Sequence, residues 1–131
     1  MKYCQERSAV ERSLVAVVDD DESVRESLPA LLRVFGFAAH AFSSAEEFLA
    51  SDRLGETRCL ILDIAMPGMT GLDLQRQLRI HGHTIPIIFI TAQRDEAVRA
   101  RAFEQGAAGF LLKPFSDTAL LAALNTALGV R

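Results

Sequence analysis

Only two cysteines occur in 131 residues, and their placement excludes several classes at once. Cys4 lies in a polar leader and Cys59 opens an apolar run, so they make neither a metal-ligand spacing nor a disulfide framework. Free thiols suit a reducing cytoplasm, with Cys59 as a small core residue and Cys4 as incidental. Positive charge is also short: 14 Lys and Arg against 17 Asp and Glu give a formal net charge of −3. No basic stripe or run appears, which argues against nucleic-acid binding by this chain. The apolar runs fall far short of a membrane span. No charged-then-apolar leader with a cleavage site opens the chain, so a cytoplasmic location is expected. Internal repeats and low-complexity tracts are missing. The three histidines, His40, His81 and His83, converge with neither cysteines nor acids. They read as surface residues, and none is suited to donate a phosphoryl group.

What remains is ordinary for a soluble domain: half the residues are hydrophobic and 24% charged. A polar, unpatterned leader over residues 1–12 precedes one domain over residues 13–131. The domain alternates short apolar runs with helical patterns. The runs are "LVAVV" (14–18), "AAHAF" (38–42), "CLILD" (59–63), "PIIFI" (86–90) and "GFLLK" (109–113). Those nearly all apolar read as strands buried on both faces, and the weaker "AAHAF" as one nearer an edge. Val24, Leu28, Leu31, Leu32 and Phe35 share a helical face that Gly36 ends, with Pro29 expected to kink it. Ser23 with Glu26, and Ser44 with Glu47, stand at capping-box spacing. Leu74 and Leu78 mark a third helix ending near Gly82. Residues 94–105 make a fourth, whose apolar face is thin (Val98, Ala102). Leu120, Leu121, Leu124 and Leu128 make a fifth, capped by Ser116 or Asp117. Five strand–helix alternations predict an α/β fold, a parallel sheet with helices on both faces.

In such sheets reactive groups gather at the carboxyl ends of the strands. The first strand ends in Asp19, Asp20 and Asp21, the third in Asp63, the fourth in Thr91 and the fifth in Lys113. Clustered carboxylates repel, so some stay protonated or a cation sits among them. Oxygen ligands without His or Cys suit a hard cation, Mg²⁺ or Mn²⁺. Mg²⁺ held by one or two carboxylates leaves room for a phosphoryl group, and a strand-end Asp can be its acceptor. Lys113 would neutralise phosphoryl oxygens and the Thr91 hydroxyl would donate to one. Taken singly these residues read more plainly. The three acids suit a helix N-terminus, Thr91 a strand and Lys113 a solvated surface. Their joint occurrence at strand ends favours the chemical reading.

The blocks "VVDDDE", "LILDIAMPGMTGLDL", "PIIFITA" and "GAAGFLLKPF" resemble the signature blocks of the response-regulator receiver domain of two-component signalling, the CheY-like family. The wording "MPGMTG" and "LLKPF" is most similar to FixJ-class receivers. The resemblance spans roughly residues 13–129. It implies a flavodoxin-like (βα)5 doubly wound sandwich with strand order 2-1-3-4-5. It places the phosphoacceptor on Asp63 and the metal-binding acids on Asp19 and Asp20, with the Ala65 backbone carbonyl as a further ligand. The family's hydroxyl falls on Thr91, its lysine on Lys113 and its switch aromatic on Phe110. The Lys113–Pro114 bond is typically cis in the family. Asp21 resembles a frequent extra acid without an assigned role.

The implied function is a switch rather than an enzyme in the usual sense. A partner sensor histidine kinase, or a small phosphodonor, phosphorylates it with Mg²⁺, and it catalyses its own phosphorylation and dephosphorylation. Phosphorylation then remodels the surface of the fourth helix, fifth strand and fifth helix. Phosphorylation-dependent homodimers are expected, as is a DNA-binding output domain if the chain is a fragment; the alternative is a stand-alone regulator acting by protein–protein contact. Ala65 and Gln93 stand where the family tunes phosphoryl lifetime, so no lifetime carries over. Phe110 lacks the hydroxyl of a Tyr. A haloacid-dehalogenase-type phosphatase would need an acid at Ala65, and a Rossmann unit would need Gly-x-Gly-x-x-Gly after the first strand. A degenerate, unphosphorylated receiver fits poorly, because every expected site position is filled.

Overall fold

A computed structural model of the chain describes residues 13–129. The leader of residues 1–12, Cys4 included, lies outside the described residues. Five parallel strands form one sheet in the order β2-β1-β3-β4-β5. They are β1 (Leu14–Val18), β2 (Ala38–Phe42), β3 (Thr57–Asp63), β4 (Ile87–Thr91) and β5 (Gly109–Leu112). The helices between and after them are α1 (Glu22–Val34), α2 (Ala45–Ala50), α3 (Gly71–Ile80), α4 (Glu96–Glu104) and α5 (Asp117–Ala127). This is the flavodoxin-like arrangement that the sequence blocks imply, with "AAHAF" on an edge.

Every residue of β1 and β4 is buried. Alternate side chains of each strand enter opposite cores. Ala16, Val18, Leu60, Leu62 and Phe89 pack with Phe48 of α2, Leu74 and Leu78 of α3 and Ala102 of α4. Val15, Val17, Ile61, Ile88 and Ile90 pack with Leu28 and Leu32 of α1 and Leu120 and Leu124 of α5. The Cys59 thiol belongs to this second core, and burial pushes its pKa up to about 12. That is the inert thiol of a core residue.

Several helix ends differ from the spacing-based expectation. The cap of α1 is Asp21, whose carboxylate accepts from the Ser23 N–H at 2.9 Å and the Ser23 hydroxyl at 2.8 Å. The Ser23–Glu26 box therefore does not form, because the third acid of the run already supplies the acceptor, and α1 begins before Ser23. Pro29 is buried and the helix continues through it. Ser44 caps α2 by accepting from the Glu47 N–H, while Glu47 reaches back to the Ser43 N–H rather than that of Ser44. Ser116, not Asp117, caps α5. An unanticipated capping box starts α3: Thr70 Oγ1 accepts from the Asp73 N–H, and Asp73 Oδ2 accepts from the Thr70 N–H.

The start of α3 is pressed against the end of β3. A Cβ on Gly71 would overlap the Asp63 carbonyl oxygen and crowd the Ile64 Cα. Neither atom belongs to a flexible side chain, so the backbone would have to move. Gly71→Ala is expected to destabilise the domain by about 1–3 kcal/mol. The measurement is the urea midpoint, which should fall with little change of slope.

Candidate functional site

The strand order places the ends of β1, β3, β4 and β5 side by side, so residues far apart in sequence share one rim. Asp19 follows β1 and is fully buried. Its Oδ1 accepts from the Asp21 N–H at 2.9 Å and its Oδ2 from the Lys113 ammonium at 2.8 Å. Its backbone is held as well: the Asp19 N–H donates to the Phe42 carbonyl and the Arg25 guanidinium donates to the Asp19 carbonyl. Asp20 is exposed at the mouth of the site. Asp63 ends β3 with 6% exposure. One carboxylate oxygen from each of Asp19, Asp20 and Asp63 lies within 4.8 Å of the others. Lys113 Nζ stands between two of them, 3.9 Å from Asp63 Oδ1.

This crowding shows in the titration of Asp63. Burial, and then the charge of Asp19, push its pKa up to about 6, against the pull of Lys113 and of a hydrogen bond from the Ala65 backbone. Asp20 adds to the push. Among the described residues Lys113 is the one ammonium that reaches the carboxylates, and it leaves them under-compensated. Clustered, oxygen-only and short of positive charge, they fit a hard divalent cation.

The other expected residues surround this group. Thr91 ends β4 with 6% exposure, and its Oγ1 accepts from the Gln93 N–H at 3.2 Å. The Lys113 N–H donates to the Thr91 carbonyl at 2.8 Å, so the hydroxyl and ammonium residues are tied through their backbones. Ala65 is exposed beside the acids. The Lys113–Pro114 bond is cis. Phe110 lies away from the rim on β5, paired in register with Phe89 of β4. Its ring is 6.4 Å from that of Phe89 and 6.5 Å from that of Phe103. The Arg99 guanidinium covers Phe103, 5.0 Å from its ring centre. Arg25, Phe103 and the capping role of Asp21 escaped the reading of the sequence. The acid of Asp21 was visible, but its capping role depends on where α1 starts. Met66 belongs to the first core and Met69 packs against it. His40 and His81 are exposed and His83 is half-buried. Among the described residues no helix is long and apolar enough to cross a membrane.

A parallel sheet in this order with acids at adjacent strand ends defines a class, and comparison with known proteins agrees. A family model described as the response regulator receiver domain matches residues 15–125. The chain belongs to the response-regulator receiver family of two-component signalling. Response regulator protein TodT of Pseudomonas putida is 44% identical over 116 residues, covering 88% of this chain and 51% of TodT. Transcriptional regulatory protein FixJ of Azorhizobium caulinodans is 40% identical over 115 residues, covering 88% of this chain and 54% of FixJ. The solved structure of response regulator StyR superposes with a TM-score of 0.82 at 48% identity, covering 88% of this chain and 59% of StyR. The chain spans about half the length of the curated relatives it matches.

The raised pKa of Asp63 has a measurable consequence. A carboxyl whose folded pKa lies above its unfolded value contributes stability below the unfolded pKa, and that stability is lost as pH rises through the folded value. For Asp63 the window runs from 3.8 to about 6. Asp21 and Asp73 are shifted downward by hydrogen bonds from Ser23 and Thr70, so their effects fall below this window. Metal-free protein is therefore expected to lose about 1–3 kcal/mol between pH 4 and 7 from this site. Millimolar Mg²⁺ should restore a similar amount at pH 7, about 2.7 kcal/mol at a hundred times Kd. Chemical denaturation at a series of pH values, with Mg²⁺ or with EDTA, measures both. A Mg²⁺ response of equal size in Asp20→Ala would contradict the site.

Proposed function

We propose that this domain accepts a phosphoryl group on Asp63, from a sensor histidine kinase or a small phosphodonor, and uses it to remodel the α4–β5–α5 face. The observation that carries the reading is the rim itself: three carboxylates within 4.8 Å of one another, with Lys113 Nζ between Asp19 and Asp63. Asp19, Asp20, Asp63 and the Ala65 carbonyl would hold Mg²⁺ or Mn²⁺. When bound, the cation neutralises charge on the transferring phosphoryl oxygens. An Asp63 carboxylate oxygen attacks phosphorus while the bond to the donor's leaving group breaks, leaving an acyl phosphate. Lys113 exchanges its contact with Asp19 for one with a phosphoryl oxygen. Water attack on the acyl phosphate later regenerates Asp63, so the domain is a self-resetting switch rather than an enzyme acting on a separate substrate.

The readout runs through Thr91. Its hydroxyl, at the strand end beside Asp63, turns to donate to a phosphoryl oxygen and vacates room that the Phe110 ring enters. Two features of the face support this. Among the side chains of α4 only that of Ala102 is buried, so the helix is lightly anchored. A groove of about 420 Å³ runs beside it, lined by Arg94, Asp95, Arg99, Phe110 and Phe115 among others. Both charge signs occur along it, as a self-complementary two-fold contact requires. Phosphorylation-dependent homodimerisation is the output, controlling a DNA-binding domain where one is present in the whole protein. The formal net charge of −3 argues against nucleic-acid binding by this domain itself. The test is incubation with acetyl phosphate and Mg²⁺ followed by intact mass. One phosphoryl increment, abolished by EDTA, is expected; no increment under conditions that phosphorylate another receiver would overturn the reading.

A further inference from the structure

The two ends of α4 are held very unequally. The C-terminal end closes in a two-bond cap, with the Ala107 N–H donating to the Ala102 carbonyl and the Gly106 N–H to the Phe103 carbonyl, both at 3.0 Å. Gly106 takes φ +97°, the left-handed conformation that this closure needs. A second donor from outside the helix reaches the same Ala102 carbonyl: Gln75 Nε2 of α3, at 3.1 Å and 27 residues away in sequence. Gln75 is only 2% exposed. Its amide orientation follows from chemistry, because the flipped amide would set an oxygen against the carbonyl oxygen. In this orientation its Oε1 is buried without a hydrogen-bond partner among the described residues. An apolar side chain of the same length would fill the space without burying a half-satisfied amide. What the amide adds is the donor to α4.

Among the described residues the other end has only local support. The Asp95 carboxylate accepts from the Ala97 and Val98 N–H groups of its own helix, at 3.1 and 3.2 Å. Residues 92–97 are all exposed. This end adjoins Thr91, where the signal begins. We propose that Gln75 is a positioning residue that pins the C-terminal end of α4 to α3. The helix then swings about Ala102, and its Thr91-proximal end carries the movement. The inference rests on the reading that this face is the one remodelled by phosphorylation, but its first test does not need phosphorylation.

Gln75→Met keeps the side-chain length and removes the donor. In the full chain without phosphodonor, hydrogen exchange at the α4 amides and at Ala107 should speed up roughly five- to ten-fold, the scale of one lost buried hydrogen bond. Amides of α3 and β4 should keep their wild-type rates. With the pin gone, the free protein already samples the shifted helix. The gain in self-association on adding beryllofluoride should therefore shrink, through a rise in the free state. Phosphoryl uptake from acetyl phosphate should be unchanged, since Gln75 touches none of the rim residues. Gln75→Leu guards against a particular failure of Met packing and should show the same local pattern. Uniform loss of protection across the chain, unchanged α4 exchange, or unfolding of both variants would each overturn the pin. If wild type takes up no phosphoryl group, the site reading falls, while the exchange result still decides the role of Gln75.

Discussion

Asp63→Asn is expected to abolish phosphoryl uptake completely while making the metal-free protein more stable at neutral pH. The two effects have one origin. In the proposed role Asp63 attacks as the ionised carboxylate, a state that burial and Asp19 make unfavourable. The amide has nearly the same shape, but it is a poor nucleophile and carries no charge to repel its neighbours. Removing a charge whose pKa has been pushed up to about 6 should raise stability at pH 7 by about 1–3 kcal/mol. The pH dependence between 4 and 7 should flatten by the same amount. Intact mass after acetyl phosphate and Mg²⁺ reads the first effect, and denaturation midpoints at two pH values read the second. Lys113→Ala separates the roles further. It leaves Asp63 in place but strips the ammonium that lies 2.8 Å from Asp19 and 3.9 Å from Asp63. Uptake should slow by roughly 10²–10³-fold, the usual scale for one lost charge-stabilising donor. Retained uptake in Asp63→Asn at the wild-type rate would move the acceptor elsewhere.

Thr91→Ala should still accept the phosphoryl group yet lose most of the response to it. Among the described residues the hydroxyl is bonded only locally, to the Gln93 N–H at 3.2 Å, so it can turn at small cost. It stands in sequence with the α4 loop on one side and in register with Leu112 of β5 on the other. In the proposed route nothing else links phosphoryl oxygens to the position of Phe110. In wild type, beryllofluoride is expected to strengthen self-association by an amount typical of coupled sites, about 1–3 kcal/mol or roughly 5–150-fold. In Thr91→Ala the difference should fall to within about two-fold, below the typical range of coupling. Sedimentation velocity at matched concentration, with and without beryllofluoride, measures it. A variant that associates like wild type would sink the Thr91–Phe110 route and leave the phosphorylation site standing.

The sequence by itself determined the α/β alternation, the edge place of "AAHAF" and which residues are proposed to carry the chemistry. It could do so because these are local signals. β1 and β4 are continuous apolar runs that only two-sided burial satisfies. Acids, a hydroxyl and a lysine at strand ends need no knowledge of packing to be noticed, and the signature blocks supplied the strand order. Tertiary structure decided how those residues meet. Lys113 lies 94 residues from Asp19 and yet bonds to it at 2.8 Å, closer than its 3.9 Å approach to Asp63. Asp63 owes its raised pKa to a neighbour on another strand and to burial, neither of which is written beside it in the chain. Asp21 read as an extra acid without a role and is the cap of α1, a matter of one residue in where a helix begins. Gln75 gave no signal at all, since a glutamine in a helix is ordinarily a surface residue, and only the packing of α3 against α4 turns its amide inward to the Ala102 carbonyl. Short-range pattern determines which groups a chain owns; long-range pairing determines which of them face each other, and with that their charge state and their role.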